Sequence, residues 1–257
     1  QDVGERKVCV VSGSSSGIGA ATVRLYASRG WDVVVNASRD MARAEVVADE
    51  CRALGAQALV VQANVAEDAD GRRLAEQTRA HFGRADVLVN NAGTTKFVAL
   101  KNLDGLDAED FQRIYAVNVI GAYQLTRAFV PLLQAQAAAG VVNVSSVASM
   151  MGRGSSLAYM ASKGALNALT VGLARALGPT IRVNAVAPGL VASEWLQQGM
   201  GPERYAAQLK AWTDTAALAA PITPEDVAEA VWWLGAGAAK TTGEVLLLDA
   251  GFRITKG

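Results

Sequence analysis

The chain has 257 residues, of which 51% are apolar and 19% charged, and its 24 basic and 24 acidic side chains leave no net charge. Length and composition fit one large α/β domain over residues 1–257 with a sizeable core. The charge balance argues against a nucleic-acid or anionic-membrane partner. No apolar run reaches the ~18 residues of a membrane span, and the opening QDVGERKVCVV lacks a signal-peptide pattern. Cys9 and Cys51 are too few and too scattered for a disulfide framework or a metal site. Both read as reduced thiols, in a protein expected to be cytoplasmic and to bind no metal.

Taken in order, the first strand signal is KVCVVS, followed by S12-G-S-S-S-G-I-G19 and a helical pattern over 17–29. Gly13, Gly17 and Gly19 permit backbone conformations that a side chain would block. Together with Ser15, Ser16 and Ile18 they would bring free N–H groups and the positive end of a helix to a pyrophosphate. The spacing G-x-x-x-G-x-G differs from the common G-x-G-x-x-G fingerprint, and a Gly/Ser turn without a ligand is the alternative. Next come the strand DVVVN, a helix over 40–54, the strand ALVVQ, a helix over 67–82 and the strand ADVLVN. His81 falls at a polar helix end, where a histidine needs no catalytic role. A long helical pattern over 107–136 precedes the strand GVVNVS; a helix over 157–177 precedes IRVNAV; a helix over 224–235 precedes EVLLLD. Seven mostly continuous apolar strands alternating with helices predict a doubly wound parallel sheet of Rossmann type, with ligands at the carboxyl ends of its strands.

The stretch SSVASMMGRGSSLAYMASK, from Ser145 to Lys163, carries the chemistry. Tyr159 and Lys163 stand four apart and share one face of the predicted helix. Ser146, at the end of the preceding strand, can face the start of that helix across a Gly/Ser-rich loop. A free phenol has a pKa of about 10. A neighbouring ammonium favours the phenolate and brings the acid towards working pH. The serine can then hold a substrate oxygen while the tyrosine moves the proton. A Tyr-x-x-x-Lys pair by itself is equally a solvated helix face, so the reading rests on the other motifs.

Those motifs resemble one family. Ser12–Gly19, N90-N-A-G93, Asn118 in YAVNVIGAY, Ser146, the Tyr159/Lys163 pair and P188-G-L-V-A-S193 occur in the order seen in short-chain dehydrogenases/reductases, over about residues 6–251. The chain looks most like the 3-oxoacyl reductase and glucose dehydrogenase branches. The resemblance implies that Tyr159 is the general acid/base, that Lys163 activates it and anchors the nicotinamide ribose, and that Ser146 stabilises the substrate oxygen. It implies that Asn118 kinks its helix so that water can link Lys163 to solvent. Asn90, Asn91, Ala92 and Gly93 would form the loop beneath the riboses. Pro188, Gly189, Val191 and Ser193 would hold the carboxamide, with Ser193 in place of the usual threonine. It also implies a homotetramer, built from the two long helices and the last strand.

Two departures bear on the cofactor. Strand two ends V35-N-A-S-R39, with Ala37 where NAD users place an aspartate. Ser38 and Arg39 could hold a 2′-phosphate, which predicts NADP(H). Ser16 occupies a loop position that is often basic in NADP users, and Arg39 could instead cap a surface turn. In Q62-A-N-V65 an asparagine, Asn64, replaces the family's aspartate, so Asn64 and Val65 are expected to meet the adenine more weakly.

Residues 194–220 fall where the family places a substrate lid. Trp195, Leu196, Met200, Tyr205 and Trp212 could line its inner face, or the segment could pack as an amphipathic helix on the core or a neighbouring subunit. The long helices end in QAQAAAG and LGPT without basic residues, which favours a free small or medium carbonyl compound over an acyl group on a carrier protein. A nucleotide sensor without turnover is the alternative from another class, and the complete set Asn118, Ser146, Tyr159 and Lys163 speaks against it.

Overall fold

The computed structural model describes residues 6–255. Its seven strands are β1 (Val8–Val11), β2 (Asp32–Ala37), β3 (Ala58–Gln62), β4 (Val87–Asn90), β5 (Ala139–Val144), β6 (Ile181–Pro188) and β7 (Val245–Leu248). They form one sheet in the order β3-β2-β1-β4-β5-β6-β7, and every pairing is parallel. The fold is the doubly wound α/β sheet that the strand pattern predicts. β1, β2, β4 and β5 are buried throughout, as continuous apolar runs require when helices cover both faces. Alternate side chains serve opposite cores: Cys9, Val11, Val33, Val35, Val87 and Val89 pack on one face, Val8, Val10, Val34, Leu88, Val141 and Val183 on the other.

The connecting helices are α1 (Gly17–Ser28), α2 (Met41–Ala53), α3 (Asp68–Phe82), α4 (Ala108–Tyr115), α5 (Ala122–Gln134), α6 (Ala148–Met151), α7 (Leu157–Leu177), α8 (Glu194–Met200), α9 (Pro202–Thr215) and α10 (Pro224–Trp232). The pattern read as one helix over 107–136 is interrupted by a π-helical turn, Ala116–Gly121, and α10 likewise runs into a π turn at Trp233–Gly237. Gly121 sits tight against Val65: a Cβ there would lie 2.9 Å from both its carbonyl oxygen and a side-chain methyl. A wider turn at this place carries Asn118 inward, and such turns often mark functional sites. The short helix α6 was not legible as periodicity, having only four residues.

Strand order reverses between β1 and β4, the switch point at which sheets of this kind open a crevice. Helix α1, which carries the glycine loop, is held from behind by α10. Their contact centres on Tyr26, whose ring meets Trp31 and Trp232 edge-on at centroid distances of 5.1 and 4.8 Å. Tyr26 is fully buried, and its hydroxyl has no hydrogen-bond partner among the described residues. Burial also pushes its phenol well above the ordinary range. A buried polar atom without a partner costs about 1–3 kcal/mol. Tyr26→Phe is therefore expected to match or exceed the wild-type midpoint in urea unfolding, whereas Tyr26→Ala loses ~3–5 kcal/mol. A clear loss of stability in the phenylalanine variant would show that the hydroxyl is bonded.

Candidate active site

The carboxyl ends of β1, β2, β3 and β4 are stitched together by side chains. Ser12 Oγ accepts the backbone N–H groups of Asn91 and Ala92, both at 3.0 Å. Asn91 returns its amide to the carbonyls of Ser12 and Gly13 at 3.2 and 2.9 Å. Asn36 Oδ1 accepts the Gly13 N–H at 3.0 Å, and its amide donates to the carbonyls of Val61 and Ala63, each at 3.1 Å. Ser14 Oγ accepts the Asn36 N–H at 2.9 Å. These bonds fix the glycine loop from below. Ser12, Ser14 and Asn36 were not among the expected site residues; their signal is that each is a polar residue at or just past the end of an apolar strand.

Above them the loop is built for an anion. Gly13 and Gly17 have φ of +60° and +54°. A Cβ on Gly19 would collide with the Gly13 carbonyl and the Asn91 amide. Helix α1 has no acidic residue in its first turn and no side-chain cap, so the N–H groups of its first turn and its positive end remain available. These residues fit a dinucleotide pyrophosphate. A cleft of about 470 Å³ runs from Ser15, Ser16 and Gly17 past Arg24 and Arg43 to Ser193, Glu194 and Trp195.

Ser38 and Arg39 are exposed at the end of β2, and Arg39 has no ion-pair partner among the described residues. Asn64 is exposed, and its Oδ1 already accepts the Ala66 N–H at 3.2 Å. Val65 is buried against Gly121. Asn90 points away from the crevice: its amide donates to Thr126 Oγ1 and Asn143 Oδ1 at 3.0 and 2.8 Å, so it braces β4 against α5 and β5. Val191 bridges to Ile222, and the Ser193 hydroxyl caps α8. The Gly189 N–H donates to the Leu248 carbonyl at 2.7 Å, and a Cβ on Gly189 would collide with the Trp212 ring.

The four residues expected to do chemistry meet where β5 ends and α7 begins. Ser156 caps α7 by accepting the Tyr159 N–H at 3.2 Å, which places Tyr159 in the first turn, at the helix end that favours a developing negative charge. Ser146 lies near enough to Tyr159 to draw its phenol down, but burial outweighs this and pushes the pKa up to about 12. Lys163 Nζ donates to the Val144 carbonyl at 2.7 Å and lies 5.6 Å from the Tyr159 ring centroid. Burial lowers its ammonium to about 8. The expected lowering of the phenol by Lys163 is therefore not the leading effect here; desolvation of both groups is. Asn118 donates to the Thr94 carbonyl and Ser162 Oγ at 2.9 and 3.0 Å and accepts the Thr94 N–H at 2.8 Å. A Cβ on Gly93 would lie 3.6 Å from Asn118 Oδ1 and 3.7 Å from Lys163 Nζ, so the two groups converge there.

Sequence reasoning missed the brace behind Ser146. Ser149 Oγ donates to the Ser146 carbonyl at 2.6 Å and accepts from Asn167 Nδ2 at 2.9 Å, while Asn167 Oδ1 accepts from Ser145 Oγ at 2.6 Å. Asn167 stands one helical turn beyond Lys163 on the same helix face, which is a readable signal. The segment 194–220 is two helices, and they behave differently. Trp212 of α9 is buried, stacked on Phe252 at 4.1 Å and 11°. α8 buries no residue.

A glycine loop with free N–H groups at the switch point, with a serine, a tyrosine and a buried lysine meeting beside it, is the arrangement of a dinucleotide-dependent oxidoreductase. Residues 13–253 match a protein family described as enoyl-(acyl carrier protein) reductase. A Streptomyces violaceoruber protein described as a ketoacyl reductase of the granaticin polyketide synthase is 43% identical, over 97% of each chain. A crystal structure from Burkholderia xenovorans, described as a short-chain dehydrogenase/reductase, superposes with a TM-score of 0.89 at 42% identity, over 99% of this chain and 100% of that one. The structure of a 7α-hydroxysteroid dehydrogenase with NADH and 7-oxo glycochenodeoxycholic acid superposes with a TM-score of 0.84 at 26% identity, over 95% and 93%. The chain belongs to the short-chain dehydrogenase/reductase family, whose members interconvert carbonyl and alcohol groups with a nicotinamide dinucleotide.

Because Asn36 ties the glycine loop to β3, Asn36→Ala is expected to raise the dinucleotide Kd about tenfold by titration calorimetry, the size of one or two lost buried hydrogen bonds. An unchanged Kd would show that the loop holds its shape without this tie.

Proposed function

We propose that the chain is an NADP(H)-dependent reductase of a free, small or medium carbonyl compound, with Tyr159 as its general acid/base. The observation that carries this is the meeting of Tyr159, Ser146 and the buried Lys163 where β5 ends and α7 begins, with Lys163 Nζ 5.6 Å from the Tyr159 ring. In this reading the substrate oxygen is held by Ser146 and Tyr159, and Tyr159 gives its proton as charge develops on that oxygen. Lys163 restores the proton, with Asn118 shaping the π turn along which water reaches it. The bound nicotinamide supplies the hydride in reduction and accepts it in oxidation. Gly13, Ser15, Ser16, Gly17, Ile18 and Gly19 hold the pyrophosphate; Asn91, Ala92 and Gly93 lie under the riboses; Asn64 and Val65 border the adenine; Pro188, Gly189, Val191 and Ser193 form the carboxamide wall.

The NADP(H) assignment rests on Ala37, which presents no carboxylate, and on the exposed Ser38 and Arg39, the latter without an ion-pair partner among the described residues. In the same reading the chain is one catalytic domain of a cytoplasmic protein, with α8 as its substrate lid. Among the described residues no helix is long and apolar enough to cross a membrane. Homotetramer assembly is supported by exposed apolar side chains on α4, the π turn, α5 and α7 (Phe111, Ile120, Tyr123, Val171) and near the edge strand β7 (Leu218, Trp233, Ile254).

A second reading, reduction of a 3-oxoacyl group on a carrier protein, is favoured by the S. violaceoruber relative and by one correction to the helix ends. Arg175 lies exposed in the last turn of α7, where no basic residue was expected. Arg127, by contrast, is committed to Asp68 at 2.5 Å.

Tyr159→Phe is expected to abolish turnover, by a factor of at least about 10² as for other general acids, while leaving dinucleotide binding intact; a variant that kept most of its activity would overturn the mechanism. Because burial lowers Lys163, its charge is present below pH about 8 and lost above it. The kcat/KM for the dinucleotide, which reports the free enzyme, is expected to fall as pH rises through that value, and Lys163→Arg to remove this limb. Arg39→Ala is expected to weaken NADPH about tenfold with NADH unchanged, the size of a lost charge-assisted contact; an unaltered affinity ratio would refute the NADP(H) assignment.

A further inference from the structure

The first turn of α8 brings Trp195 to within 6.4 Å of Tyr159, ring centroid to ring centroid, at an interplanar angle of 43°. Trp195 meets a second ring, Phe97, at 5.8 Å and 53°. Phe97 lies in the connection that follows β4 and Gly93, so the two rings come from opposite sides of the crevice. The pairing is built rather than incidental. Trp195 and Gly199 stand four apart on α8 and share one face. A Cβ on Gly199 would collide with the Phe97 ring, so that ring is seated directly on the helix backbone.

Trp195 nevertheless remains 45% exposed. A large aromatic beside the reacting hydroxyl with nearly half its surface open is a wall with room on one side. The charged side chain next in sequence is engaged elsewhere: Lys96 Nζ donates to Asp110 at 2.6 Å. Arg153, in the loop that follows α6, lies over the Phe252 ring at 5.2 Å. Aromatic rings pack against one another at centroid distances of about 4.5–7 Å. The spacing from Trp195 to Tyr159 falls inside that range. A carbonyl oxygen held at the Tyr159 hydroxyl therefore places the group attached to its carbon against Trp195.

We propose that Phe97 and Trp195 form a ring-binding subsite beside Tyr159, and that the substrate is an uncharged carbonyl compound whose reacting carbon bears a flat unsaturated ring. This rests on the reading of Tyr159 as the residue that meets the substrate oxygen. Phe97 and Trp195 set specificity and take no part in proton transfer.

The test uses acetophenone and cyclohexyl methyl ketone, which match in heavy-atom count and differ in the flatness of the ring. Binding is measured first, by calorimetry on NADPH-loaded Tyr159→Phe, so that the result does not depend on turnover. Acetophenone is expected to bind about tenfold tighter, the size of one or two aromatic contacts. Adding Phe97→Leu, Trp195→Leu or Gly199→Ala is expected to bring the ratio towards one, with NADPH affinity unchanged. The kcat/KM ratio of the enzyme with Tyr159 in place should follow the same order. Equal binding of the two ketones, or a ratio that no substitution moves, overturns the subsite. Weaker NADPH binding in Trp195→Leu, with both ketones affected alike, overturns it too and assigns the ring to the cofactor. A binding preference without turnover in the unsubstituted enzyme leaves the subsite standing and refutes the reductase reading.

Discussion

Desolvation at the carboxyl edge of the sheet governs the rest of this structure. Lys163 is an ammonium with 4% of its surface exposed, and a buried charge survives only where polar groups meet it. The Val144 carbonyl provides one such group, one residue past the end of the pairing between β5 and β4. The same burial lowers Lys163 and raises Tyr159. It thus brings the lysine to a pKa near working pH while keeping the tyrosine a phenol. Proton exchange between a weak acid and a weak base set this way is a matter of burial depth, and burial depth follows from the packing of α7 on the sheet.

That packing has a cost at the strand ends, where backbone groups lose their ladder partners inside a closed protein. Buried backbone polar groups are almost always paired, and here short polar side chains do the pairing. Ser12, Asn36 and Asn91 join the loops after β1, β3 and β4, and Asn167 with Ser149 holds the turn that carries Ser146. Because these bonds are made below the crevice, the N–H groups at the start of α1 are not needed for structure. Those first-turn N–H groups stay free while the strand ends around them are paired.

The sheet and the chemistry were legible for different reasons. Continuous valine-rich runs can only be strands buried on both faces, and the 157–177 pattern matches α7 residue for residue. The serine, tyrosine and lysine were visible because their spacing has a chemical meaning. What stayed hidden depends on contacts across long stretches of chain. The kink at Asn118 was expected only from the resemblance; nothing local in YAVNVIGAY shows that it takes the form of a π turn, or that Gly121 there sits against Val65 of a different loop. The resemblance placed Asn90 with the ribose loop, yet its amide donates to Asn143 and Thr126 while that of the next residue, Asn91, reaches the glycine loop, as successive residues at a strand end point to opposite sides. The balance between burial and Ser146 in setting Tyr159 is likewise a matter of depth, which spacing along a helix does not encode.

The segment 194–220 shows how one stretch can satisfy two readings that looked exclusive. Its second helix, α9, is tied to the body by Trp212, which lies on Gly189 and stacks on Phe252. Its first helix, α8, is held by contacts that open easily. An exposed Arg43–Glu194 pair, 3.0 Å apart, is worth at most about 1 kcal/mol. The Phe97 and Trp195 rings provide the remaining hold, and α8 keeps no residue in the core. Segments with few buried apolar contacts are those that open at low free energy. Anchoring one helix and leaving the next lightly held gives a hinge position at Gly201, where φ is +82° and where the two helices meet. α8 can therefore move without disturbing the sheet, because what holds it is surface charge and aromatic contacts rather than core.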